Sequence, residues 1–496
     1  EQFRRIEFVH LCSTTGNLKR WNVMIVSETS AVLDSIEISN FKSLRQVGLS
    51  FPRLTLLYGP NSSGKSSVFQ ALLAIKQTLE SRNIFVPLVL SGRYVQLGSY
   101  ESVVYGKDVA RKISLEFKLR TPRLLALYGP RGLRPRYLES LVPSREGEID
   151  LSSVIVGFTL EYIKSTRRIK LGETWVSDAK RFEIIRIQQR AITRILGKEV
   201  DHPIKRKTVK IGNTRFIVSP AYFIPRVYSE RYRIPRDPEA RSLYNFERIL
   251  RRLSSYLEDD FTRKLLYLGP LRDYPKRYYF ATGEVPRDVG LKGENVVELL
   301  YYDSKSKKRK TERIITGLKP WLDRFGLAKD VRIDVLPEGL YSLTLRDPYT
   351  KFDINVSDTG FGVSQVLPVI VECLSSPPGS TMLVEQPEIH VHPKVQAELG
   401  DLFITASKER KIIVETHSEH ILLRIQRRIA EGTLSASDVA IYYFDLLSDG
   451  TKVTKISLDE LGSLKEWPPG FFEEDYQESV ARYKAMLEKT PDAKLQ

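Results

Sequence analysis

The stretch Gly59-Pro-Asn-Ser-Ser-Gly64-Lys65-Ser66 fits the pattern G-x-x-x-x-G-K-[ST] at every fixed position. Its flanks constrain the fold further. Arg53-Leu-Thr-Leu-Leu-Tyr58 reads as a buried strand, and Ser67-Val-Phe-Gln-Ala-Leu-Leu-Ala-Ile75 as the start of a helix. A strand that turns through glycines into a helix aims backbone N–H groups at one point, which suits phosphate oxygens. Gly59, Asn61, Ser62, Ser63, Gly64 and Ser67 build that cradle. In such a loop Lys65 reaches the β and γ oxygens and the Ser66 hydroxyl ligates Mg²⁺. An α/β core with a nucleotide site at one strand end is therefore expected.

A chain of 496 residues is long for a single simple domain, so two or three lobes are expected. No apolar run reaches the 18 or so residues of a membrane span. The opening residues lack the charged start, apolar centre and cleavage site of a secretion signal. Two cysteines, Cys12 and Cys373, cannot make a disulfide framework, and a reducing, cytoplasmic setting is expected. The 77 Lys and Arg outweigh 61 Asp and Glu by 16, which favours a polyanion partner, DNA or another nucleic acid first. A heavily charged surface of the thermophile kind is the alternative, since 28% of residues are charged and Cys and Met are few.

Five segments are expected. Residues 1–31 read as an N-terminal extension and 32–125 as an N-lobe with the phosphate loop. Residues 126–264 read as an insertion of β-meander and helix, 265–456 as a C-lobe, and 457–496 as a tail. In the N-lobe, strands are expected at Leu33 to Phe41, up to Phe51, and through 94–120. Residues 121–150 are rich in Pro, Gly and Arg and read as a loop. Segment 238–264 spaces Leu243, Phe246, Ile249, Leu250, Leu253 and Leu257 as a helix does. After residue 265 strands alternate with helices, which argues a largely parallel sheet. The strand at 381–384 is the expected partner of the phosphate-loop strand, so the nucleotide domain is split by the insertion. No heptad run of coiled-coil length appears.

The C-lobe holds further chemistry. Thr381-Met-Leu-Val-Glu385 is an apolar strand ending in a carboxylate that can hold Mg²⁺ directly or through water. Gln386, Pro387, Glu388, His390, His392 and Pro393 follow. Ile412-Ile-Val-Glu415-Thr416-His417-Ser418 sets a histidine just past a second buried strand. Gly360, Gly362, Ser364 and Gln365, after Ser357-Asp358-Thr359, open a helix with glycines and hydroxyls, a geometry that binds anions. His390, His392, His417 and His420 admit a second reading as metal ligands.

These motifs resemble the ABC-type ATPases of the structural-maintenance-of-chromosomes, recombination-repair and OLD-nuclease kind. They look more closely like prokaryotic AAA-family, ABC-like ATPases of uncharacterised or antiviral-defence type. Phe41-Lys-Ser-Leu44, the phosphate loop, Tyr94-Val-Gln-Leu-Gly-Ser-Tyr100, Leu268-Gly-Pro-Leu-Arg272, Asp358 to Gln365, Val384 to Glu388, Glu415 to His420 and Trp467 to Phe472 carry the resemblance. It implies a P-loop head with a mixed sheet, split by a β-rich insertion and without a long coiled coil. It implies ATP and Mg²⁺ as cofactors, with Glu385 as the Walker B acid and His417 as the switch histidine. Gly360, Gly362, Ser364 and Gln365 would close on ATP bound to a second copy, giving a homodimer through ATP-sandwiched heads, with His390 to Pro393 crossing the interface.

Two positions depart from that pattern. The residue after the Walker B acid is ordinarily Glu, the base for the attacking water, and here it is Gln386. An amide orients water but accepts a proton poorly. Glu388 is the nearest spare carboxylate, so slow hydrolysis is expected. Gln96 lies where a metal-touching glutamine loop would be, and equally reads as an exposed strand residue. Arg272 reads either as a phosphate or partner contact or as a surface arginine in a turn. Arg226 to Arg236, with its tyrosines, and Lys305 to Lys310 are basic runs suited to phosphates and bases. No acidic nuclease set follows the core, so any cutting would come from a separate effector or nuclease subunit. Two functions are carried forward: a dimerising ATPase acting on DNA or an effector in prokaryotic defence or repair, and a nucleotide-sensing scaffold with little hydrolysis.

Overall fold

The computed structural model describes residues 33–120, 152–306 and 313–466, with gaps inside 82–85 and 182–256, and most of 480–486. The expected extension, the stretch 121–150, most of the 226–236 run, residues 307–310 and the motif at 467–472 lie outside the described residues. So do Leu243, Phe246, Ile249, Leu250 and Leu253 of the expected helix, whereas Leu257 is buried.

Alternation of apolar and polar residues builds one long antiparallel sheet. It contains β1 (Leu33–Phe41), β2 (Leu44–Ser50), β4 (Ile113–Arg120), β5 (Ser153–Ile163), β6 (Arg168–Asp178), β7 (Glu183–Gln188), β8 (Ala191–Ile195) and β9 (Lys198–Pro203). Its order is β2-β1-β4-β5-β6-β7-β8-β9. The expected β-meander therefore continues the N-lobe sheet, and the boundary placed at 125/126 runs through it. Residues 94–105 are less regular than expected: Ser91 and Gln96 make an isolated bridge, and Tyr100–Val103 is a helical turn. The Ser99 side chain accepts from the Ser102 N–H and so caps that turn, which an extended strand would not allow.

The core sheet contains β3 (Leu54–Tyr58), β13 (Leu265–Leu268), β18 (Thr381–Glu385), β19 (Lys411–Glu415), β20 (Val439–Leu447) and β21 (Gly450–Ile456). The order is β13-β18-β19-β3-β20-β21. Every pairing is parallel except β20 with β21, so the sheet is mixed. The neighbours of β3 are thus β19 and β20, and the strand at Thr381–Glu385 stands one place further out. Leu57, Leu383 and Ile413 join one core, against the long sheet and α1 (Lys65–Glu80). Leu54, Leu56, Tyr58, Met382, Val384, Ile412 and Val414 join the other. Side chains alternate across each strand, so burial on both faces demands the unbroken apolar runs that mark these strands.

The second core is covered by α2 (Val296–Lys305), α3 (Ile314–Arg324), α4 (Phe361–Ser375), α5 (Pro393–Ala406) and α6 (Glu419–Ala430). Two small antiparallel sheets complete the described elements. One contains β10 (Thr208–Ile211), β11 (Thr214–Val218) and β12 (Val227–Ser229); the other β14 (Tyr279–Phe280), β15 (Asp330–Val335), β16 (Leu340–Arg346) and β17 (Asp353–Asn355). The longest helix among the described residues is α1, at 16 residues, so none of them forms a long coiled coil. No helix among them is long and apolar enough to cross a membrane.

Two charged contacts hold the site's framework. Lys411, buried at the start of β19, donates from Nζ to Leu33 O and to Asp34 Oδ1, both at 2.6 Å, and so ties the core sheet to β1. Asp401, buried on α5, takes Arg428 from Nε at 2.6 Å and Nη2 at 2.7 Å, and also pairs with Arg424 and Arg324. Burial would raise the Asp401 carboxyl, but the hydrogen bonds from Arg428 and Arg424 outweigh it and hold the group below its ordinary value. This knot locks α5 to α6 and α3. Asp401→Ala should cost about 2 kcal/mol, as charged hydrogen bonds commonly do, measured as the change in chemical-denaturation free energy at neutral pH. Asp401→Asn should recover only part of it.

Candidate functional site

The site grows from the end of β3. Gly59 has φ 141°, and a Cβ there would lie 2.2 Å from Phe444 O of β20. Only glycine lets the chain leave the strand so close to its neighbour. Gly64 has φ 103°, and a Cβ would lie 2.7 Å from both Ser43 Oγ and Thr451 Oγ1. The Thr451 hydroxyl is also 2.8 Å from Ser63 O, so strand β21 clamps the loop from outside. No side chain caps the N-terminus of α1. Its first N–H groups and the positive end of its dipole face the loop opening, which is an anion site by construction.

Within the loop Asn61 and Ser62 are exposed, and Ser63 and Lys65 are buried. Lys65 Nζ folds back onto Gly59 O and Pro60 O at 2.8 Å each. Burial holds its ammonium below the ordinary value, opposed by the charges of Glu415 and Glu388. Ser63 Oγ is buried without a hydrogen-bond partner. Ser66 Oγ donates to Glu415 Oε1 at 2.9 Å.

Glu385 and Glu415 end the parallel neighbours β18 and β19 and are paired in register. Glu385 Oε1 accepts from Tyr267 OH on β13 at 3.0 Å, and its backbone carbonyl accepts from Arg272 Nη2 at 3.1 Å. Its carboxyl is pushed up to about 7, first by burial and then by the Glu415 charge. Burial also raises Glu415 and Glu388. Glu388 Oε1 accepts from the His417 N–H at 2.6 Å, so this carboxylate fixes the loop that carries the histidine. The exposed His417 imidazole is held below its ordinary value by desolvation and by Lys65. Gln386 lies between, at φ 44°, a left-handed backbone uncommon for its type, with its N–H donating to Glu415 O at 2.7 Å.

Arg272 is only 7% exposed, so it is not a surface arginine. Its Nε and Nη1 are buried without partners, and burial lowers its guanidinium to about 10. Gln96 is exposed, and its amide donates to Gly92 O at 2.6 Å within its own turn. No hydrogen bond among the described residues joins it to Ser66 or Glu385. The signature segment divides in two. Gly360 is exposed with open space around it and starts α4 without a side-chain cap. A Cβ on Gly362 would stand 3.5 Å from His390 O. Ser364 and Gln365 are buried, with Ser364 Oγ turned onto Phe361 O at 2.7 Å. The Phe361 ring stands edge-on to His390, 4.8 Å between centroids, and lies tilted against Tyr274 at 5.1 Å. Among the described residues no three His, Cys, Asp or Glu side chains converge as a metal cage, which leaves the histidine-ligand reading without support.

The donor set is therefore a capless helix start, an ammonium, a hydroxyl and buried carboxylates, with orphaned polar atoms on Ser63 and Glu415. Mg²⁺ with phosphates fits it, because Mg²⁺ is held by one or two carboxylates plus substrate phosphates rather than by an all-protein cage. Sequence reading assigned no role to Glu415, Tyr267 or Thr451. A signal for Glu415 existed: two apolar strands end in Glu, and parallel pairing sets such ends side by side.

Comparison with known proteins agrees in outline. Residues 222–423 match a family described as "AAA domain, putative AbiEii toxin, Type IV TA system", and residues 32–119 match "AAA ATPase domain". Residues 434–478 match a family described as a protein of unknown function. No curated protein matches the sequence. Among solved structures, an SMC head bound to the C-terminal winged-helix domain of ScpA is 12% identical, covering 86% of this chain and 98% of that one at TM-score 0.41. The SMC head domain from Thermotoga maritima is 10% identical, covering 86% and 99% at 0.39. An SMC head from Pyrococcus furiosus, with an extended coiled coil and bound to ScpA, is 11% identical, covering 91% and 99% at 0.42. At such scores these three carry no argument.

The raised Glu385 carboxyl predicts a pH effect on the metal-free protein. Between about 4.5 and about 7 the folded state binds more protons at Glu385 than the unfolded chain does. Stability should therefore fall as pH rises through that window. Glu385→Gln should flatten part of the slope in melting temperature against pH, with EDTA present. An unchanged slope would mean the group titrates normally.

Proposed function

From a chain that carries an ABC-like AAA ATPase domain in two segments, we propose a nucleotide-gated head: it binds Mg·ATP, hydrolyses it slowly and associates with a second copy while ATP is bound. The head acts on DNA or controls a partner effector, in prokaryotic defence or repair. The observation that carries this reading is the convergence of Lys65, Ser66, Glu385, Glu415 and His417 where β3, β18 and β19 end. Lys65 would exchange two loop carbonyls for phosphate oxygens, a stronger charge-assisted contact. The α1 N–H groups hold the phosphate chain. His417 reaches the terminal phosphate. Mg²⁺, when bound with ATP, neutralises phosphate charge.

Slow turnover follows from Gln386 and Glu388. Gln386 can position a water but not take its proton. Glu388 accepts the His417 N–H on one oxygen and, as the nearest spare carboxylate to Gln386, is the group to serve as base. The net charge of +16 supports a nucleic-acid partner, and Arg236 is exposed. The scaffold reading rests on the same Gln386 and predicts binding without turnover.

Steady-state ATPase rates separate the two readings. Wild type should be slow and faster with duplex DNA, Glu385→Gln inactive, and Gln386→Glu faster than wild type. Lys65→Ala should lose nucleotide affinity by calorimetry; unchanged affinity would remove the site assignment. Tight Lys65-dependent binding with no turnover under any condition would leave the scaffold.

Association is tested at Gly360. Its φ of −60° and open surroundings accept any residue, whereas a substitution at the buried Ser364 would disturb packing. Light scattering with a slowly hydrolysed ATP analogue should show doubled mass for wild type and monomer for Gly360→Arg, with nucleotide affinity preserved. A mass that ignores nucleotide would end the gating proposal.

A further inference from the structure

We propose that Glu415 is a direct ligand of the divalent cation that accompanies the nucleotide, shared with Ser66, while Glu385 stands beside it as the second carboxylate. The inference rests on the nucleotide-head reading and assigns its metal site. Register places Glu385 and Glu415 side by side on one face of the sheet, at its C-terminal edge. Of the two, Glu415 touches the phosphate loop: the Ser66 hydroxyl donates to it at 2.9 Å. Glu385 is turned the other way, onto Tyr267 OH.

Glu415 is 4% exposed, and its Oε2 is buried with no hydrogen-bond partner. Among the described residues neither Glu385 nor Glu415 has an ion-pair partner: Lys65 Nζ goes to loop carbonyls, and Arg272 donates to the Glu385 backbone. Two adjacent buried carboxyls, one with an unpartnered oxygen, have no cation in direct contact: Lys65 and Arg272 act on them only from a distance. A small hard cation supplies that contact. One hydroxyl, two carboxylates and phosphate oxygens make a set that suits Mg²⁺ and falls short of a Ca²⁺ or Zn²⁺ cage.

The alternative is that Glu415 only orients Ser66. A double-substitution cycle separates the two roles, with Mn²⁺ binding to the full chain plus ADP read by electron paramagnetic resonance. Glu415→Gln should weaken Mn²⁺ about 10-fold or more, the scale of losses at metal sites. Nucleotide affinity in EDTA should not fall. Repeated in Ser66→Ala, Glu415→Gln should again lower Mn²⁺ affinity several-fold. No further loss in that background would assign Glu415 to positioning and overturn the proposal, as would a single variant within twofold of wild type. Melting temperature in EDTA checks that each variant is folded. If wild type gains no Mn²⁺ affinity from ADP while Lys65→Ala behaves as wild type, the nucleotide-head reading itself fails; if only Glu415→Gln is silent, the metal assignment alone fails.

Discussion

Buried negative charge at the C-terminal edge of a parallel sheet is the constraint from which the site follows. Parallel strands in register end together, so Glu385 and Glu415 are neighbours because Thr381 pairs with Lys411 at the other end. Both faces of the sheet are covered by apolar side chains, so water cannot dissipate the charge. Each carboxyl is raised by burial first. Two desolvated carboxyls side by side favour the proton-bound form over a pair of bare charges.

The surrounding structure holds these charges in place. Lys411 anchors β19 to β1 at its start, and the Asp401 knot fixes the helices that follow β18 and β19. Those helices begin at the His392 and Ser418 caps, next to the two loops that carry His390 and His417. Glu388 then joins the loops to each other through the His417 N–H. A displacement of either helix would move both histidines, which is how stability and the site's geometry are coupled.

The signature segment shows where a side chain's type says less than its direction. Ser364 and Gln365 have the right chemistry for a phosphate, yet both point into the fold, and Gly360 with the start of α4 faces outward. Arg272 shows the reverse. It has the composition of a surface turn but is buried against the Glu385 carbonyl, because β13 lies next to β18.

Local pattern alone determined the phosphate loop, since its glycines, lysine and serine act within one turn and need no distant partner. It also determined the core strands, whose unbroken apolar runs are what burial on both faces requires. Only the tertiary structure decided that β19, not the strand at Thr381–Glu385, lies beside β3. It alone brought Glu415 to Ser66, 349 residues away in sequence. It alone showed the β-meander and the N-lobe to be one sheet. Strand order, register and side-chain direction depend on which apolar faces pack together across hundreds of residues, and no local periodicity encodes that choice.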